Sequence, residues 1–387
     1  MSLFGQISDA IKYIVRKADM LLLTLCLIST VFGIVLIASA TNYSNSQLRC
    51  VLVQSAAAAI GICLYFLFSV VDVEHFCEKW KWFFVFNIGF IALLLTPLGV
   101  DDGTGNKAWL YASWMPTSIQ PAEIVKLTYT ILLAKQIGWF RDNQGMHRLE
   151  SVLWPAGHAA FMFAYIFLIS GDAGSGLVYL FVFAGMALAA GVAWYWFVLG
   201  GTMLAGAVAG LVLIDKIPSY MRERFLVIFD HSISDRVAWQ QTRSVMALGS
   251  GGLWGQGLFN GVQTQSAVSG NLPARHTDFI FSVCGEELGM IGCVAIILLE
   301  LLVVLRCFTT ARVAKSTMGS LICIGFGTML IFQTVENIGM CLFVMPVIGL
   351  TLPFFSYGGS SIVTLYAAMG IISGVRNRTL PDWLRKT

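Results

Sequence analysis

The chain has 387 residues, of which 57% are hydrophobic and only 12% are charged, and its mean hydropathy is +0.77. Soluble domains carry about 25% charged and about 45–50% apolar residues, so this composition excludes an ordinary soluble protein. The net charge of +3, with no basic cluster, argues against a nucleic-acid partner. The nine cysteines include no CxxC pair, so the sequence indicates neither a zinc site nor a disulfide framework.

Apolar runs long enough to cross a bilayer, about 20 residues each, recur along the chain. They predict an all-α polytopic membrane protein with about ten transmembrane helices, in a single domain of residues 1–387. The run 177–214 is roughly twice as long as one span requires, so it predicts two helices joined near Gly191. The predicted spans are 20–40, 51–71, 82–100, 120–139, 153–169, 177–193, 195–214, 281–305, 317–344 and 357–375.

The distribution of basic residues predicts the orientation of these helices. With the N-terminus inside, most Lys and Arg residues fall in inner loops, and the short outer loops hold only Arg49 and Lys107. Both termini are then cytoplasmic, and residues 215–280 form a large extracytoplasmic loop before the eighth helix. The first apolar run is longer than the hydrophobic core of a signal peptide, which predicts that this helix is retained.

Two charged residues stand at the start of the fourth predicted span, in the motif IQPAEIVK. Glu123 and Lys126 are three positions apart and therefore share a helix face. Charged groups inside a membrane are expensive and face a partner or a cavity. Two interpretations stay open at this point. The residues form a mutual ion pair that packs helices together, or they form a polar wall of a substrate cavity.

The large outer loop contains the two other polar motifs of interest. The run GSGGLWGQG lacks the Lys-Ser/Thr and the preceding strand of a P-loop, and indicates instead a tightly turned segment beside a cavity. Asp278 follows Arg275 where the chain re-enters the membrane. It is either a general base near a substrate hydroxyl or a helix cap or loop ion pair. Glu286 and Glu287 lie in the first turns of a helix, which favours a structural role.

Several motifs together resemble one known family. NIGM followed by PVIGLTLPFFSYGGSS, together with RHTDFIFSVCGEELG, IQPAEIVK, RER at 222–224 and GSGGLWGQG, occur in order over essentially the whole chain. In these motifs the chain resembles the SEDS family of shape, elongation, division and sporulation proteins. Two elements depart from the family pattern, SGDAG at 170–174 and AWQ at 238–240, and they leave the subgroup open.

The resemblance implies a peptidoglycan glycosyltransferase of the bacterial cytoplasmic membrane. Such an enzyme polymerises lipid II into glycan strands at the outer face, with a class B penicillin-binding protein as transpeptidase partner. No cofactor and no metal site are assigned, and a divalent cation stays an open alternative. The resemblance implies that Asp278 is catalytic. The substrate-binding residues, taken from the family motifs and from the outer-face arginines and lysine, are Arg49, Lys107, Trp109, Glu123, Lys126, Arg222, Arg224 and Arg275.

The expected chemistry begins with Asp278 taking the proton from the 4-hydroxyl of the acceptor sugar. That oxygen then displaces the lipid pyrophosphate from the anomeric carbon of the donor with inversion. Arginine suits pyrophosphate because its guanidinium binds phosphate oxygens bidentately. Two other classes of function compete with this one: a flippase for lipid-linked precursors and a non-enzymatic scaffold of a cell-wall synthase.

Overall fold

The computed structural model describes residues 15, 17–43, 46–101, 106–115, 117–213, 219–228, 230, 235–266 and 272–379. Helices dominate these ranges, in which the two strands are β1 (Gly99–Val100) and β2 (Trp109–Leu110), an antiparallel pair. The helices are α1 (Met20–Ala40), α2 (Gln47–Val70), α3 (Val73–Phe76), α4 (Trp80–Ala92), α5 (Pro121–Asn143), α6 (Leu149–Ser170), α7 (Ala173–Ala190), α8 (Trp194–Leu213), α9 (Ser219–Leu226), α10 (Asp235–Gly251), α11 (Ile280–Val313), α12 (Thr317–Cys341) and α13 (Gly359–Thr379).

Six of the helices are long and apolar enough to cross a bilayer, namely α1, α2, α6, α7, α11 and α12. A helix also lies at each of the other predicted spans. Among these, α4 has only 13 residues, and α5 carries the charged side chains of Glu123 and Lys126. The expectation of an all-α polytopic membrane protein is therefore confirmed.

Local backbone chemistry sets the ends of the helices. The helix α7 ends at Ala190 because Gly191 takes a left-handed conformation, with φ 93°, and α8 begins at Trp194. The predicted span 82–100 is too long, since α4 ends at Ala92 and a short 3₁₀ turn follows. Pro97 cannot continue a helix, and Gly99 instead pairs with Leu110 in the small sheet.

The predicted outer loop 215–280 contains regular structure, which the apolar runs did not indicate. Besides the short α9, it contains α10, which packs against α11 and α12. Ser244 of α10 donates a 2.7 Å hydrogen bond to the carbonyl of Cys341, and Gln241 donates to the carbonyl of Met340 at 3.0 Å. Thus one face of α10 is fixed to the bundle by polar contacts.

Close approach of backbones tightens the bundle. The helix α13 lies along α2, and a Cβ atom on Gly61 would come within 2.9 Å of the Tyr366 side chain. A Cβ on Gly370 would come within 2.6 Å of the main chain of Tyr65. Small residues at such points let membrane helices pack at short range.

The bundle has two distinct ends. At one end Asp19 binds Arg306 at 2.8 Å and Arg376 at 3.4 Å, which ties α1 to α11 and α13. We call this the Asp19 end. The other end carries the described residues 96–101, 106–115, 117–120, 252–266, 272–279 and 342–358, and we call it the cavity end.

Candidate active site

The cavity end contains an open cavity of about 900 Å³ that both polar and apolar residues line. Its walls come from the segment around β1 and β2, the junction of α6 with α7, α9, α10, the segment before α11 and the connection between α12 and α13. The charged and polar side chains that line it include Asp101, Gln120, Asp172, Glu223, Arg224, Gln240, Asp278, Tyr357 and Ser360. A cavity of this size can hold a large polar substrate.

Asp278 lines this cavity, and hydrogen bonds to main-chain atoms hold its segment in place. The side-chain amide of Asn337 donates to the carbonyls of Asp278 and Leu350, both at 2.8 Å. Ser356 donates to the carbonyl of Thr277 at 2.6 Å. The N-cap of α11 is Phe279, without a side-chain cap, so the helix-cap alternative for Asp278 is not what the structure shows.

On another wall of the cavity, Asp172 accepts a small set of hydrogen bonds. It is the N-cap of α7 and accepts from the backbone N–H of Ser175 at 2.9 Å and from its hydroxyl at 2.6 Å. The side-chain amide of Gln120 donates to the same carboxyl at 3.2 Å. Burial raises the pKa of Asp172, and the bonds from Ser175 oppose that rise. Sequence reasoning did not select Asp172 or Gln120, although both stand within motifs that it noted.

The basic residues predicted to bind phosphate do not all reach the cavity. Arg224 lines it, and so does Trp109. Lys107 is exposed and lies between Asn106 and Ala108, which both line the cavity. These residues can meet a substrate that enters the cavity.

Two further arginines, Arg49 and Arg222, are exposed and do not line the cavity. Arg49 is exposed in the first turn of α2 and acts electrostatically on Tyr357, a lining residue whose pKa burial raises. Arg222 is exposed on α9, two residues before Arg224.

The prediction for Arg275 is wrong in its geometry. This side chain is only 5% exposed and does not line the cavity. Its guanidinium donates to the main-chain carbonyls of Gln263, Thr264 and Ser266 and lies 3.5 Å from the ring centroid of Tyr43. Since these partners occupy the guanidinium, Arg275 braces the loop 263–266 instead of facing a phosphate.

Glu123 and Lys126 form the mutual ion pair that was one of the two alternatives. Their side chains are 6% and 2% exposed, and Lys126 Nζ lies 2.5 Å from Glu123 Oε1. Neither residue lines the cavity, whereas Gln120, one turn earlier, does. The pair therefore lies behind the cavity wall, and direct contact with substrate, as predicted, is not supported.

Glu286 and Glu287 have the structural role expected of them. Glu286 accepts from the backbone N–H groups of Gln263 and Thr264 at 2.7 and 2.8 Å. Glu287 accepts from the hydroxyl of Ser39 at 2.7 Å and from the amide of Gln265 at 2.8 Å. The two carboxylates hold the loop 263–266 against α1 and α11. In the part of the chain that the structure describes, no group of three or more His, Cys, Asp or Glu could hold a metal ion.

Comparison with known proteins gives matches along nearly the whole chain. The family model for FtsW, RodA and SpoVE, described as cell cycle protein, matches residues 19–380. A probable peptidoglycan glycosyltransferase FtsW from Tolumonas auensis is 33% identical over 305 residues, which cover 76% of each chain. Stage V sporulation protein E from Bacillus subtilis is 30% identical over 367 residues, covering 92% of this chain and 96% of the other.

Solved structures also match this chain over nearly its whole length. A chain from a structure described as structural coordination of polymerization and crosslinking by a peptidoglycan synthase complex matches with a TM-score of 0.79 and 28% identity. The match covers 94% of this chain and 99% of the other. The rod shape determining protein RodA of Thermus thermophilus matches with a TM-score of 0.68 and 27% identity, over 94% and 98% of the two chains.

Proposed function

The chain belongs to the FtsW, RodA and SpoVE family of cell cycle proteins, and we propose that this peptidoglycan glycosyltransferase polymerises lipid II into glycan strands. The observation that carries the proposal is the position of Asp278. Its carboxyl lines a cavity of about 900 Å³ that Arg224 also lines, while Lys107 and Arg49 lie close by. A transfer from a lipid diphosphate requires a base and positive charge near the leaving group, which Asp278 and Arg224 on the cavity and the neighbouring Lys107 and Arg49 can supply.

In this mechanism Asp278 acts as the general base. It takes the proton from the 4-hydroxyl of the acceptor sugar, whose oxygen forms a bond to the anomeric carbon of the donor. The bond from that carbon to the diphosphate breaks on the opposite face, and the diphosphate leaves with the electron pair. Arg224, with Lys107 and Arg49, compensates the negative charge that develops on the leaving group.

The setting of the reaction forms part of the proposal. We place the cavity end at the outer face of the bacterial cytoplasmic membrane and both termini in the cytoplasm, because basic residues predominate in the loops assigned to the inner side. We also propose a class B penicillin-binding protein as partner. The similarity to a chain of a peptidoglycan synthase complex supports this partner.

One assay tests the function against its two competitors. The purified protein, reconstituted in liposomes, is given labelled lipid II without any partner protein. We expect polymeric glycan that a muramidase digests. Translocation of lipid II without polymer would identify a flippase instead. Polymer that forms only after a partner glycosyltransferase is added would identify a scaffold.

A further inference from the structure

Glu336, near the end of α12, is a buried acid that the mechanism above does not use. Only 3% of this residue is exposed. Both carboxyl oxygens are buried, and no described residue donates a hydrogen bond of regular geometry to either, although the backbone N–H of Ile348 lies near the carboxyl. A buried carboxyl without a regular hydrogen bond is rare, since polar groups inside proteins are nearly always hydrogen-bonded.

The position of Glu336 connects it to the cavity. The next residue, Asn337, binds the carbonyls of Asp278 and Leu350 at 2.8 Å each, so this turn of α12 packs directly against the segment that carries Asp278. Asp278 also acts electrostatically on Glu336. Among the described residues, the titratable groups that interact with Glu336 are Asp278, from the segment before α11, and Cys341, on its own helix.

General electrostatics decides how the two carboxyls share charge. An ionised carboxylate without partners is strongly disfavoured in a buried environment. Two neighbouring carboxyls do not both ionise readily, and the more buried group retains its proton. Asp278 is only partly buried and faces the cavity, whereas Glu336 lies behind it. The negative charge therefore resides on Asp278.

We propose that Glu336 is a protonated carboxyl behind Asp278, which confines the negative charge at this point of the cavity to the base itself. A second charge there would repel the diphosphate of the lipid-linked donor. The proposal rests on the proposed function, because it assigns Asp278 the role of base. Glu336 itself neither gains nor loses a proton during the transfer, and Asp278 returns its proton to water in the cavity.

The chain supplies a matched control. Glu300, on α11, is 2% exposed, and both of its carboxyl oxygens are buried with no hydrogen bond of regular geometry from a described residue. The Thr334 hydroxyl lies near this carboxyl, and Cys26 and Cys307 lie within electrostatic range of it, whereas Asp278 is not among the groups that act on it. Glu300→Gln therefore removes a carboxyl of the same kind at a point away from the base.

The first test is the pH dependence of polymerisation from about pH 5 to about pH 10. Glu336→Gln keeps the size and the neutral state, so its rate at neutral pH should be within about twofold of wild type. In alkaline solution the wild type should lose rate and show a higher KM for lipid II as Glu336 ionises, whereas Glu336→Gln should not. Glu300→Gln should follow the wild-type profile. Superimposable profiles of wild type and Glu336→Gln would overturn the proposal, as would a folded Glu336→Gln that is inactive at neutral pH.

The second test does not require enzymatic activity. If the protein makes no polymer, the proposed function is rejected, but this test still decides whether Glu336 is protonated. Thermal unfolding midpoints of wild type and Glu336→Gln are measured over the same pH range. A carboxyl that holds its proton more firmly when folded stabilises the protein at low pH, and this stabilisation is lost as pH rises. The wild-type midpoint should therefore fall relative to that of Glu336→Gln as the pH rises above the ordinary titration range of a carboxyl, and it should level off only once Glu336 ionises in the folded protein. In an Asp278→Asn background the difference should level off at lower pH, because the neighbouring negative charge is gone. A constant difference between the two midpoints would refute the charge assignment.

Discussion

Hydrogen bonds to its main chain hold the segment of Asp278, a residue that lines the cavity. The carbonyls of Thr277 and Asp278 are fixed by Ser356 and Asn337, so the segment keeps these contacts when the side chain is replaced by one of the same size. We expect Asp278→Asn to fold, to insert in the membrane and to lose at least about 100-fold in polymerisation rate, because the amide cannot act as a base. The measurement is the initial rate of glycan synthesis from lipid II.

Asp101 provides the control for that prediction, since it also lines the cavity with a carboxyl. Asp101→Asn should keep a rate within about tenfold of wild type, because no proton transfer is assigned to it. Equal loss in both variants would indicate a general requirement for negative charge in the cavity. Near wild-type activity of Asp278→Asn would reduce this residue to a structural element of the loop.

The Glu123–Lys126 ion pair is important for the stability of the protein because both charges are buried. Breaking a buried pair by removing one partner costs about 3–5 kcal/mol, because the remaining charge stays buried alone. We therefore expect Glu123→Gln and Lys126→Met each to lower the thermal unfolding midpoint more than the double variant does. If the double variant is as unstable as the sum of the two single variants, the residues act independently of each other.

We expect Arg275 to stabilise the loop 263–266 and not to bind substrate. Its guanidinium donates to three main-chain carbonyls, which a single ammonium group cannot match in geometry. We expect Arg275→Ala to increase proteolysis of the loop 263–266 and Arg275→Lys to restore only part of the protection, while affinity of the folded protein for lipid II stays within about threefold. Arg224→Ala is the contrasting variant, since Arg224 lines the cavity and its loss should weaken binding without exposing that loop.

The residue-scale errors of the sequence interpretation have a common physical cause. An arginine near the outer face looks the same in the sequence whether it binds a phosphate or main-chain carbonyls. The sequence therefore could not distinguish the role of Arg275 from that of Arg224. Likewise, the carboxyl of Asp172 and the amide of Gln120 become neighbours only through the packing of α7 against α5. Asp278, in contrast, could be selected because its motif is specific to the family.

The break in α11 depends on a single glycine. Gly289 interrupts the helix with φ 68°, and a Cβ atom there would come within 2.6 Å of Leu253. The break turns the helix so that the backbone N–H groups of Gln256 and Gly257 donate to the carbonyls of Glu286 and Glu287, both at 2.9 Å. We expect Gly289→Ala to destabilise the protein by more than about 1 kcal/mol, from backbone strain together with steric overlap.

The measurement for Gly289→Ala is the thermal unfolding midpoint together with polymerisation. Gly157→Ala is a suitable control, because Gly157 lies within α6 and a Cβ there would meet nothing within 4 Å. That variant should be neutral or slightly stabilised. Equal stability of the two variants would show that the break at Gly289 bears no strain.

Apolar runs predicted the long helices of this chain well and its amphipathic helix poorly. A membrane-spanning helix is apolar on all sides, so the region of α1 or α7 stands out by hydropathy alone. The helix α10 is fixed by Ser244 and Gln241 on its buried face, and such polar burial leaves no apolar run in the sequence. The end of α4 was missed for a related reason: the residues after Ala92 stay apolar while the backbone leaves the helix.

For the whole molecule, the central question is which end of the bundle faces outward. The cavity end and the Asp19 end are well separated, and the proposed chemistry requires the cavity to face outward, where the glycan is assembled. Lys107 lies beside the cavity, whereas Arg148 precedes α6 at the other end. Both are exposed, which makes them suitable for labelling from one side of the membrane.

We expect Lys107→Cys to react with a membrane-impermeant maleimide on intact cells, and Arg148→Cys to react only after the cells are permeabilised. Each is placed in a Cys63→Ser background, because Cys63 is the exposed native thiol while the other cysteines are buried or half-buried. The physical basis is the retention of basic loops on the cytoplasmic side. If the pattern were reversed, the cavity would open to the cytoplasm. Asp278 could not then act on lipid II at the outer face, even in a protein that polymerises it in liposomes of mixed orientation.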